Sequence, residues 1–161
     1  SLIQINKEKS MGVLVAVHLI AALIWVGGMF FAVYVLRLAA GPMEPKDRIN
    51  LWTLTFQKFF PWVWLAVTIL PLTGYWIIFT GFGGFASLPV LYHIMHGLGW
   101  TMIVLFLHLW FAPYARFRRA VEAEDFPAAG NHLNSIRLIV TTNLWIGLVN
   151  VIIGVLARYW G

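Results

Sequence analysis

Residues 11–38 read MGVLVAVHLIAALIWVGGMFFAVYVLRL, an apolar run without a charge until Arg37. About 20 such residues suffice to cross a hydrocarbon layer as a helix. In lipid no water satisfies backbone N–H and C=O groups, so a run of this kind can only be helical. The chain around it is of the same character. Of 161 residues 61% are hydrophobic and 11% charged, with a mean hydropathy of +0.82, whereas a soluble domain is roughly half apolar and a quarter charged. The start, Ser1 to Ser10, is polar and no small-residue cleavage pattern follows it, so residues 11–38 read as a retained span and not as a signal peptide.

Three further spans follow. The second runs over about 51–79, beginning near Leu51 or more strictly at Pro61, with a kink at Pro71; the third covers about 89–112 from a first-turn proline, Pro89; the fourth covers about 135–159. The expected fold is all-α, a single polytopic domain of four transmembrane helices surrounded by lipid. Between spans lie polar stretches with Glu44, Lys46, Asp47 and Arg48, and with Arg116, Arg118, Arg119, Glu122, Glu124 and Asp125, all read as loops. Eight of the eleven basic residues fall beside or within these two connections, against Lys7, Lys9 and Arg158 on the other side. The positive-inside rule then places both basic loops in the cytoplasm and both termini outside, in a bacterial-type inner membrane. The net charge of +5 is thus a topology signal rather than a nucleic-acid surface. Trp62, Trp64, Trp76, Trp110 and Trp160 fall where an aromatic belt would lie. Without cysteine there is no disulfide, thiolate metal site or thiol redox chemistry.

The histidines carry the functional question. His18-x6-Trp25 in the first span rhymes with His93-x6-Trp100 in the third, suggesting two hairpins repeated in parallel. At ~1.5 Å per residue, His18 lies about 10 Å in from Met11 and His93 about 6 Å in from Pro89, which is the same outer layer. One turn on from each is a small residue, Ala22 or Gly97, and two turns on a tryptophan, leaving a slot beside each helix. Neutral imidazoles facing across such a slot suit haem b, and a bundle holding it would pass electrons to a quinone or small redox partner. His96 is rotated about 60° from His93 and faces a neighbour or bonds a propionate. His108 lies about 22 Å further along, without an intraspan partner, and His132 sits in the loop before the fourth span. No Asp or Glu lies inside a span, which removes carboxylate-bridged metal sites.

Two other readings stand beside haem. His93, Met95 and His96, with Met29 and Met102, offer the soft ligands that copper(I) prefers. Alternatively the histidines pack a non-catalytic accessory or assembly protein. Gly27, Gly28, Gly147 and Gly154 read as close helix contacts, and Asn143 and Asn150 as polar glue between helices.

The run Val17-His18 through Trp25-Val26-Gly27-Gly28-Met29-Phe30-Phe31 to Arg37 resembles the first helix of CopD-type membrane proteins. The stretches Phe59-Phe60-Pro61-Trp62-Val63-Trp64, Tyr92-His93, Phe106-Leu107-His108-Leu109, Ala112-Pro113 and Ile136-Arg137 to Asn143-Leu144 carry the resemblance, to a small single-module branch, over nearly the whole chain. It implies copper handling across the inner membrane. A more distant resemblance, to HemJ-type haem-biosynthesis proteins, rests on His18, Trp25, Gly28 and Arg37. It implies bound haem b, with Arg37 beside the cofactor, although the third helix of that family opens with His-x-Lys where this chain has His93-Ile94-Met95-His96.

Overall fold

The computed structural model describes residues 2–160; Ser1, the head of the polar start, lies outside them. Four helices long and apolar enough to cross a membrane make up the fold: α1 (Leu2–Ala39), α2 (Pro45–Gly81), α3 (Val90–Glu122) and α4 (Phe126–Trp160). Only 22% or less of the most apolar window of each is buried. The remainder of each window faces outward, so lipid has to solvate it.

Each helix overruns its expected bounds, and mainly toward the polar stretches. α1 begins at Leu2 rather than near Met11, and α2 begins at Pro45, which takes the first-turn place expected of Pro61; Pro61 and Pro71 both lie inside the helix. Near Pro71 the hydroxyls of Thr68 and Thr73 donate to the Trp64 and Ile69 carbonyls, each one turn back along the helix. α3 does not stop near Ala112 but passes through Pro113 in a π-helical turn, Trp110–Tyr114, and continues over Ala115–Glu122. A proline cannot donate to the carbonyl four residues back, and the wider turn is where the helix absorbs this. α4 starts at Phe126, so His132 is helical and not in a loop. The Asp125 carboxylate caps it, accepting from the Ala128 N–H at 3.0 Å. The polar stretches read as loops are therefore mostly helical extensions, held to the bundle by Ile49, Trp52, Phe117, Ala129, Leu133 and Ile136, all buried.

α1 packs most closely on α2, and α3 on α4, with α1 also touching α4. Small residues make both seams. In the second, Met95 lies over Gly154, Gly99 beside Asn150 and Met102 over Gly147, a constant antiparallel register with a glycine in every rung. A Cβ on Gly147 would sit 2.9 Å from Val26 and 3.0 Å from Met102. In the first, Met11 lies over Gly81, His18 over Gly74 and the Phe59 ring against Gly28. Gly27, by contrast, faces open space.

Rings bridge α2 and α3. Phe56, Phe60 and Trp64 meet Phe106, Trp110 and Tyr114, with Phe60 and Tyr114 edge to face at 4.7 Å and Trp64 and Trp110 at 5.5 Å. Trp64 and Trp110 take part in this stack, while Trp62, Trp76 and Trp160 are exposed. α1 carries a π-helical turn of its own, Ala32–Leu36, so the leading helix of each hairpin widens as it nears the basic end.

α3 ends with Glu124 at φ 54°, while the Asp125 N–H reaches back to the Ala120 carbonyl at 2.9 Å. This closing motif usually carries glycine at the left-handed position. Glu124→Gly is expected to stabilise the protein by about 0.5–1 kcal/mol, because glycine adopts that conformation without a Cβ clash. Thermal unfolding in detergent should show the higher midpoint; a lower one would refute the strain assigned to Glu124.

Candidate functional site

Around residues 73–75 of α2, in the half of the bundle away from the basic end, polar side chains from three helices meet. Thr73 is buried and flanked by Gly74, whose missing Cβ leaves His18 of α1 room against the helix: a Cβ there would lie 3.4 Å from His18 Cε1. His18 Nδ1 is 2.8 Å from Thr73 Oγ1. The Thr73 hydroxyl already donates to the Ile69 carbonyl at 2.7 Å. With its one proton used, Oγ1 accepts from His18 Nδ1–H, and the imidazole is the tautomer whose Nε2 carries the lone pair. The ring also hydrogen-bonds the Leu70 backbone, and Nε2 makes no side-chain hydrogen bond among the described residues. A neutral, oriented imidazole with a free Nε2 is what a metal ion needs from histidine.

Tyr75, two residues on, serves α3. The Trp100 indole N–H donates to the Tyr75 hydroxyl at 3.0 Å, and Tyr75 lies 2.8 Å from His96 Nε2. An indole only donates, so the Tyr75 oxygen accepts from Trp100, and the same hydroxyl is hydrogen-bonded to His96 Nε2. His96 is thus engaged at the nitrogen His18 keeps open. Phe85, in the short turn before α3, packs on both His96 at 5.2 Å and His93 at 6.0 Å. His93 itself is exposed and Gly97, one turn on, faces open space.

α2 therefore organises the histidines, holding His18 through Thr73 and His96 through Tyr75. Trp25 is a core residue, buried and edge-on to Phe106 at 6.3 Å. Trp100 is tied to Tyr75. Arg37 stands 19 residues beyond His18 on α1, about 28 Å away at ~1.5 Å per residue, too far to share a ligand with it. His108 is exposed and makes no hydrogen bond among the described residues. No group of three or more His, Cys, Asp or Glu side chains converges among the described residues. Three thioethers, of Met11, Met95 and Met102, each lie against a seam glycine. Thr73 and Tyr75 are the residues that spacing along the chain did not single out. Their only signal was a threonine and a tyrosine flanking a glycine inside an apolar span.

Comparison with known proteins adds one match. A family model described as copper resistance protein D matches residues 53–157, about two thirds of the chain, taking in Thr73, Tyr75, His93, His96 and both seam methionines of α3. His18 lies outside the matched residues. No curated protein and no solved structure matches the chain.

Proposed function

The chain belongs to the copper resistance protein D family, and on that premise we propose that it is a multi-pass copper-handling membrane protein that takes copper(I) as cargo through His18 Nε2. The observation that carries the residue assignment is the Thr73 hydroxyl, which donates to Ile69 and orients the His18 ring through Nδ1. Copper(I) is soft and accepts imidazole and thioether at low coordination number, so a site without a cluster of three charged or histidine ligands suits a passing ion. Met95 and Met102, two turns apart on one face of α3 along the α3–α4 seam, are thioethers of the kind that could take the ion further. The basic end is read as cytoplasmic, with both termini outside a bacterial-type inner membrane.

Haem b between His18 and His93 has less support. The family match is to a copper family, and Phe85 packs on the His93 ring at 6.0 Å. One sample decides between them. Protein purified from copper-supplemented cells is expected to carry copper near stoichiometrically by elemental analysis, with no Soret band; a Soret band without copper would reverse the assignment and restore an electron-transfer role with a quinone or redox protein. Neither copper nor a Soret band would leave an accessory protein.

A further inference from the structure

At the opposite end of the bundle a cavity of about 690 Å³ opens between the end of α1 and the starts of α2 and α4. Arg37, Arg48 and Arg137 line it, and no carboxylate does. Arg48 and Arg137 are held in place, donating to the Gly41 carbonyl at 3.3 Å and the Asn134 side-chain oxygen at 3.1 Å. The charges of Arg37 and Arg48 both bear on Arg137, and none of the three forms an ion pair among the described residues. Like charges gathered around a partly enclosed space repel one another without compensation, and an anion between them relieves this. We infer that the Arg37–Arg48–Arg137 cavity is a binding site for a phosphate-bearing anion.

The surroundings agree with that chemistry. Pro45 of α2 and Phe126 and Pro127 of α4 also line the cavity, at the starts of the two helices. Asn131 and Asn134 add polar side chains. Trp52, Ile49 and Leu133 give an apolar wall, where the carbon skeleton attached to a phosphate can rest. Arg37 follows the π-helical turn directly, its N–H bonded five residues back to the Ala32 carbonyl. Such a turn adds a residue to the helix and re-aims what comes after it, and π turns are frequent at functional sites. Guanidinium groups bind phosphate through paired hydrogen bonds, which a lysine cannot reproduce. The phosphate could come from an anionic lipid headgroup, which basic groups beside a membrane span attract, or from a soluble phosphorylated molecule.

Delipidated protein in a neutral detergent tests this, compared with Arg37→Gln, Arg37→Lys and, as a basic control outside the cavity, Arg158→Gln. Arg37 makes no hydrogen bond through its side chain within the described residues, so its replacement removes none from the fold. One arm titrates inorganic pyrophosphate against sodium chloride of equal ionic strength; the other compares nanodiscs of phosphatidylcholine with and without phosphatidylglycerol, using native mass spectrometry to count retained lipid. The wild type and Arg158→Gln are expected to gain thermal stability in at least one arm. Arg37→Gln should bind about tenfold more weakly, the loss of one charge-assisted contact, with Arg37→Lys between. A response to pyrophosphate identifies a soluble ligand and a response to phosphatidylglycerol alone a headgroup. No response in either arm, or equal responses in the wild type and Arg37→Gln, would overturn the inference. It stands apart from the copper reading, since no copper enters the measurement.

Discussion

Replacing His18 with alanine is expected to lower the affinity for copper(I) by at least about 100-fold, measured by competition with a chromogenic copper(I) chelator in detergent. The size follows from the second layer of the site. Removing a group that orients a metal-binding histidine costs about 10–100-fold, and removing the imidazole itself must cost more. Thr73→Val keeps the shape of the side chain and deletes the acceptor for His18 Nδ1–H, so it should fall in the 10–100-fold range. His96→Ala serves as the contrast. Its Nε2 is engaged by Tyr75 at 2.8 Å, and its loss should change affinity by less than about threefold on the same reasoning. Unchanged binding in His18→Ala, or a larger loss in His96→Ala than in His18→Ala, would remove His18 from the path.

These two histidines also show how far the chain could be read before its structure. Their depth was legible, because a helix advances ~1.5 Å per residue whatever its neighbours. Their roles were not, because they depend on which way each ring turns and on residues of another helix. Thr73 and Tyr75 lie two positions apart on α2, about 200° around a helix of 100° per residue, and so serve helices on different sides. Periodicity along α1 or α3 contains no information about that. The number and character of the spans followed from solvent physics alone. The bounds did not, because hydropathy marks where the hydrocarbon ends and not where the helix does. Residues 45–50, 115–122 and 126–134 are polar enough to leave the membrane, yet Ile49, Phe117, Ala129 and Leu133 are buried against the bundle, which is reason enough for a helix to continue. The arginine cavity was out of reach for a similar cause. Arg48 and Arg137 were counted only as topology signals and Arg37 was also placed beside a haem, and only the extension of α2 and α4 brings the three together.

Gly28→Ala is expected to destabilise the protein by about 1–3 kcal/mol, the range for forcing an extra carbon into a packed contact, while the same change at its neighbour Gly27 should be neutral or stabilising by up to about 1 kcal/mol. Nothing in the sequence separates the two. In the structure a Cβ on Gly27 meets nothing within 4 Å, whereas one on Gly28 runs into the Phe59 ring. That ring cannot simply fold away. It sits against Phe60 at 6.4 Å, and the void it lines holds only about 30 Å³, whereas cavities that accept a benzene ring are of order 150 Å³. A ring displaced inward would push α1 from α2, at the seam where His18 further along is held to Thr73. A double-mutant cycle makes the cause explicit. Phe59→Ala alone costs packing, but in that background Gly28→Ala has no ring to meet and should add up to about 1 kcal/mol of stability from helix propensity. The sign of the Gly28→Ala effect, read from unfolding in mixed micelles, thus reverses between the two backgrounds. Equal destabilisation in both would mean that Gly28 is required for something other than the approach of Phe59.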